Sequence, residues 1–189
     1  MGAQQGTPTL PSLKPDIRLL GAVTDDMLQH FLDSAEKLQG DGPAVVELTS
    51  MGGDAETARR IAQEIRMLGK EREVFLLGKT YVFSAGITLL AARPPSHRFL
   101  SRDTVLLVHE RRFERTVNFN GALRSAVAVA HDLLAELEIG EKLERRGFQR
   151  FVDGSNMTVD QLIERVLQKD WYMLADEALE LRLVAGLVG

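Results

Sequence analysis

Short runs of uninterrupted apolar residues keep giving way to helical periodicity in the first half of this chain, and that alternation restricts it to few folds. The strand-like run at 16–21 (DIRLLG) leads into TDDMLQHFLDSAEKL at 24–38. AVVELT at 44–49 leads into a second periodic stretch at about 54–68, and the strand at 73–77 leads into TYVFSAGITLLAA at 80–92. In the first helix Thr24 can cap the N-terminus and Asp25 and Asp26 suit the positive end of the dipole. Met27, Leu28, Phe31, Leu32, Ala35 and Leu38 form its apolar face. Strands that are apolar throughout are buried on both faces, as in a parallel sheet covered by helices. The expectation is therefore an α/β fold in which strands 44–49 and 73–77 run parallel, joined by the helix at 54–68.

HRFL and DTVLLVHE supply two more strands, with a turn at Ser101-Arg102-Asp103. The pattern then changes. One long helix spans about 121–146, with Leu123, Ala126, Val127, Ala130, Leu133, Leu134 and Leu137 as its stripe. It is longer than a core of this size requires, so it is expected to project toward another subunit. A shorter amphipathic helix follows at 157–168, with Thr158 as its cap, and then a closing helix and strand. Residues 1–15, rich in Gln, Gly, Thr and Pro, read as a flexible arm. Residues 16–189 read as a single domain.

Composition narrows the chemistry. The 189 residues include no cysteine, which excludes disulfides, thiolate catalysis and cysteine-ligated metals. A formal net charge of -4 gives no electrostatic case for nucleic acid. No run reaches the roughly 18 apolar residues of a membrane span. The start of the chain carries no secretory signal pattern, and Gly6 stands where a myristoylation signal wants Ser or Thr. A soluble, cytoplasmic protein is expected.

Four positions can carry chemistry. After the strand at 44–49, Gly52 and Gly53 allow positive φ and close backbone approach next to a helix start, where an anion or an oxyanion is stabilised. A tight turn without a ligand is the plainer alternative. Ser84 lies between a strand and an alanine-rich helix, either as an N-cap or as an exposed nucleophile. His109 ends a core strand, where it is either a rim residue or the base a serine needs. Asp170 follows a helix and precedes an aromatic pair. It can orient a histidine or cap a turn.

These residues stand in a known order. The chain resembles the proteolytic subunit of the Clp protease and, more broadly, the ClpP/crotonase superfamily. The family's Ser-Pro-Gly-Gly turn is here Ser50-Met51-Gly52-Gly53. Its Ser-Met-Gly-Ala-x-Leu-Leu-Ala-Ala segment is similar to Ser84 through Ala92, and its strand-ending histidine to His109. Its Arg-Asp-x-Phe-Met-Ser-Ala-x-Glu-Ala segment is similar to Lys169 through Ala178. The resemblance implies the ClpP/crotonase-like fold of repeated β-β-α units, with a projecting handle region at about 110–150. It also implies a serine endopeptidase whose triad is Ser84, His109 and Asp170, with the N–H groups of Gly53 and Ala85 as the oxyanion hole. No metal or cofactor is implied. Peptides or unfolded proteins are the implied substrate, in a self-compartmentalising homo-oligomeric ring. A Clp-type ATPase partner stays open, because the arm does not follow the family's axial-loop sequence.

Met51 stands where the family has proline, and Asp160 is a rival third member of the triad. Three alternatives accompany this reading. They are a catalytically weakened subunit with a structural or partner-binding role, a Ser-Lys peptidase using Lys142, and a crotonase-type acyl-CoA enzyme. The last gives no reason for the set Ser84, His109 and Asp170.

Overall fold

The computed structural model describes residues 9–189, so the expected arm lies mostly outside the described residues. Within it, Leu10 packs against Val45, Phe75, Leu77 and Phe99 on one side of the sheet. The elements in chain order are β1 (Ile17–Val23), α1 (Asp25–Glu36), β2 (Ala44–Gly53), α2 (Ala55–Glu71), β3 (Val74–Phe83) and α3 (Ala85–Leu90). There follow β4 (Arg98–Ser101), β5 (Val105–Val108), α4 (Leu123–Val152), α5 (Val159–Val166), β6 (Trp171–Leu174), α6 (Ala175–Glu180) and β7 (Gly186–Val188). The expected parallel pairing of β2 with β3 through α2 is present, and β1 adds to β2 in the same sense.

The strand–strand–helix rhythm arises because β3 changes neighbours midway. Its first half pairs with β4, through Leu76, Leu77 and Gly78, and its second half with β5, through Tyr81, Val82 and Phe83. Between them Thr80 has φ 59, a conformation that β-branched residues rarely adopt. The Thr49 hydroxyl donates to the Lys79 carbonyl at 3.0 Å and braces the bend from β2. In the next unit the two halves have become separate strands, β4 and β5, joined by the turn at 101–104, and α4 follows.

Most of the core lies between the sheet and helices α1, α2, α3, α5 and α6, with Leu48, Ile61, Ile65, Leu76, Leu89 and Leu90 fully buried. One charged side chain joins them. Arg98 is fully buried and donates to the carbonyls of Arg93, Arg150, Phe151 and Leu183 at 2.6–3.2 Å. Burial pushes its pKa down to about 9, against the attraction of Asp153. It ties β4 to the end of α4 and to the C-terminal segment. Along α4, only Phe151 and Val152 are buried. No helix among the described residues is long and apolar enough to cross a membrane.

Several elements differ from the sequence expectation: β3 runs on to Phe83 and α4 to Val152. β2 continues past Thr49 through Gly53, because β1 supplies a partner there (Ala22 to Gly52, Val23 to Gly53). β6 is an additional strand, antiparallel to β5.

Candidate active site

Sheet register decides which of the candidate residues meet. Ser50 pairs with Val82, so the glycines two and three positions on come alongside Ser84. Phe83 pairs with Leu107, so Ser84 emerges beside the end of β5, and its N–H donates to the Leu107 carbonyl at 2.8 Å. Val108 pairs with Trp171 in an antiparallel ladder, so the next step opposes His109 and Asp170. Four strand ends thus converge. Met51, Gly53, Ser84, Ala85, His109 and Asp170 all line one cavity of about 940 Å3.

Ser84 occupies the N-cap position of α3, but its hydroxyl makes no capping hydrogen bond. Its backbone is instead strained, with φ 55 and ψ -118. A non-glycine residue held there costs about 1–3 kcal/mol and persists only where its surroundings impose it. The capping explanation therefore fails, and the turn projects a hydroxyl that the helix does not use.

The glycine turn is fitted to that hydroxyl. Gly52 has φ 96, and a Cβ placed on it would lie 2.7 Å from the Ser84 Cβ. Gly53 has φ 148, and a Cβ there would strike the Val23 backbone. Ser50 is fully buried, and its Oγ accepts the Gly52 N–H at 3.1 Å, which fixes the turn from inside. Met51 is 61% exposed beside the cavity, so nothing like a proline ring stiffens the turn at that point.

His109 Nδ1 lies 2.5 Å from the Glu110 carbonyl oxygen. A carbonyl only accepts, so Nδ1 carries a proton, and in the neutral ring Nε2 then keeps its lone pair. That is the tautomer a serine requires of its base. Asp170 is turned elsewhere: both of its carboxylate oxygens accept from Arg112, at 3.3 and 3.4 Å. Among the described residues no hydrogen bond links Ser84 to His109, or His109 to Asp170. Asp160 does not line the cavity. It sits in the first turn of α5 and pairs with Arg145 at 2.8 Å. Lys142 is exposed on α4 and does not line the cavity either.

The sequence marks Arg111, Arg112 and Arg115 as a basic segment, either favouring acidic peptides or forming a solvated face, without showing what they meet. Arg111 binds Glu56 of α2 at 2.7 Å, and this contact, helped by the charge of Arg59 and opposed by burial, holds the Glu56 carboxyl below its usual range. Glu144 of α4 accepts the Arg111 backbone N–H, yet burial raises its pKa. The segment between β5 and α4 is thereby strapped across the cavity mouth. The arginine-rich sequence at 111–115 was the available signal, but not its partners.

The family described as Clp protease matches residues 14–189 of the chain. Among solved structures, a ClpP1 mutant from Listeria monocytogenes superposes with a TM-score of 0.68 at 17% identity, covering 91% of this chain and 90% of that one. At that identity the likeness is one of fold. No curated protein sequence matches.

Proposed function

The chain belongs to the Clp protease family, and on that premise we propose that it is a serine endopeptidase with Ser84 as its nucleophile. One observation carries the reading. Ser84 is held in a strained turn that leaves its hydroxyl uncapped, in the same cavity as a histidine whose Nε2 is free to accept a proton.

Ser84 Oγ attacks the carbonyl of a peptide bond while His109 Nε2 takes its proton. The N–H groups of Gly53 and Ala85 receive the oxyanion. His109 returns the proton to the leaving amine, and the acyl group stays on Ser84 as an ester. Water, deprotonated by His109, then attacks the ester, and as the acyl–Oγ bond breaks His109 returns that proton to Ser84 Oγ and the peptide acid leaves. In the present geometry the Glu110 carbonyl holds the His109 tautomer, a role that Asp170 takes once it leaves Arg112. The chemistry calls for no metal or cofactor. The protein works in the cytoplasm as a homo-oligomeric ring on peptides or unfolded proteins, and the uncovered apolar side of α4 supports such assembly.

The pairing of Asp170 with Arg112 favours a second reading, a weakened subunit. Triads without their carboxylate lose on the order of 10⁴ in kcat. A fluorophosphonate probe, with the modified residue read by mass spectrometry, separates the two. Labelling at Ser84, abolished by Ser84→Ala, is expected. A folded, oligomeric sample that takes up no label overturns the peptidase reading.

A further inference from the structure

Arginines outnumber carboxylates by seven to four along the cavity that holds Ser84. Four of those arginines are accounted for: Arg59 and Arg111 share Glu56, Arg60 pairs with Glu64, and Arg112 holds Asp170. Three are not. Arg66 on α2 and Arg146 and Arg150 on α4 have no ion pair, and their guanidinium groups make no hydrogen bond, among the described residues. Arg146 and Arg150 are four apart on one helix face, a like-charge spacing that destabilises a helix unless an anion offsets it. Arg66 faces them from the opposite wall. Burial, then the charges of Arg150 and Arg59, holds its guanidinium below the ordinary arginine value.

We propose that Arg66, Arg146 and Arg150 form a subsite that takes a carboxylate of the peptide substrate. The proposal rests on the peptidase reading and adds the substrate class. Three unpaired guanidiniums lining one cleft, that of Arg66 half-buried and those of Arg146 and Arg150 exposed, offer charge-assisted, forked hydrogen bonds to a planar carboxylate. From the first residue of α2, beside the glycine turn, Arg66 is about 16 Å along the helix axis. An extended peptide covers that distance in about five residues. The preferred carboxylate therefore sits about five residues from the bond that Ser84 attacks.

The test measures binding apart from turnover. Fluorescein-labelled peptides bind to the Ser84→Ala chain and are read by anisotropy. One series carries a single Glu moved stepwise along a neutral sequence with an amidated C-terminus. Another is neutral with a free C-terminal carboxylate, and a third is neutral and amidated. A carboxylate near the fifth position is expected to tighten binding about tenfold. Raised salt and Arg66→Gln or Arg146→Gln each remove most of the gain, whereas Arg115→Gln, outside the cavity, leaves it. Gain only in the Glu series assigns the subsite to an acidic side chain, and gain only with the free terminus assigns it to a chain end. Equal affinity across all three series, or a gain that survives both arginine substitutions, overturns the proposal. Fluorophosphonate labelling of the unsubstituted chain keeps the two readings apart. Labelling without carboxylate preference sinks only the subsite, and arginine-dependent preference without labelling sinks only the peptidase.

Discussion

The body of the molecule and helix α4 use apolar residues in opposite ways. In β2 and β3 the apolar side chains are spent inside the subunit: Val46, Leu48, Val74, Leu76 and Leu77 are wholly buried. In α4 they are left outside. Leu123 is 81% exposed, and Leu134 and Ile139 are each 55% exposed. A 30-residue helix extends about 45 Å, and in this one the only buried residues, Phe151 and Val152, lie in the last turn. The difference teaches that apolar periodicity reports a buried face without naming what buries it. The body closes on itself, whereas α4 keeps an apolar side that nothing among the described residues covers.

Arg98 joins the two regions, so its removal breaks the comparison most severely. Arg98→Ala strands four buried carbonyls and detaches the end of α4 from β4. A loss of about 3–5 kcal/mol is expected, read as a lower urea midpoint. Arg98→Lys recovers only part, because an ammonium cannot span four carbonyls on different segments. A loss under about 1 kcal/mol would mean that the end of α4 is held by Phe151 and Val152 alone. The next effect is on assembly. Leu134→Asp with Ile139→Asp places charge on the uncovered side of α4, at about 2 kcal/mol per side chain otherwise buried between subunits. Light scattering is expected to show smaller species, with circular dichroism and the unfolding midpoint of the body unchanged. An unchanged oligomer would assign the interface elsewhere.

The sequence was most legible where local and long-range signals agree. Apolar strands followed by amphipathic helices could only be an α/β sheet, and TYVFSAGITLLAA announced a strand-to-helix turn through Ser84. What stayed hidden depended on partners. β6 is four residues long and half exposed, with Trp171 and Met173 inward and Tyr172 and Leu174 outward. Nothing in so short a run predicts that it pairs with β5, yet that ladder is what carries Asp170 opposite His109. β2 was read as ending at Thr49, because glycines usually end strands and the partner that extends it, β1, lies far away in sequence. α4 was read to 146 and runs to Val152, since its charged last turns hide Phe148 and Phe151, which pack inward. The hold of Arg112 on Asp170, across 58 residues, left no trace in the pattern.

The smallest expected effect lies wholly within the body, one residue from the glycine turn. Asp54 caps α2, accepting the Thr57 N–H at 2.6 Å, and that bond is the main reason its carboxyl sits below the usual range. Asp54→Ala is expected to cost about 1 kcal/mol at neutral pH, while Asp54→Asn, an equally good cap, costs a few tenths. The pH dependence has a definite sign. A carboxylate whose folded pKa is depressed stabilises fully above its unfolded value, about 4, and loses that contribution as pH falls through the folded value. The gap between the original chain and Asp54→Ala should therefore narrow in acid, although both chains weaken there as Glu56 loses its hold on Arg111. The gap to Asp54→Asn should close first, because it contains only the charge. A gap to alanine that stays constant from pH 7 to pH 3 would mean that shape rather than ionisation holds the start of α2. The strained glycines before it would then be fixed by Ser50 from beneath and by β1 alone.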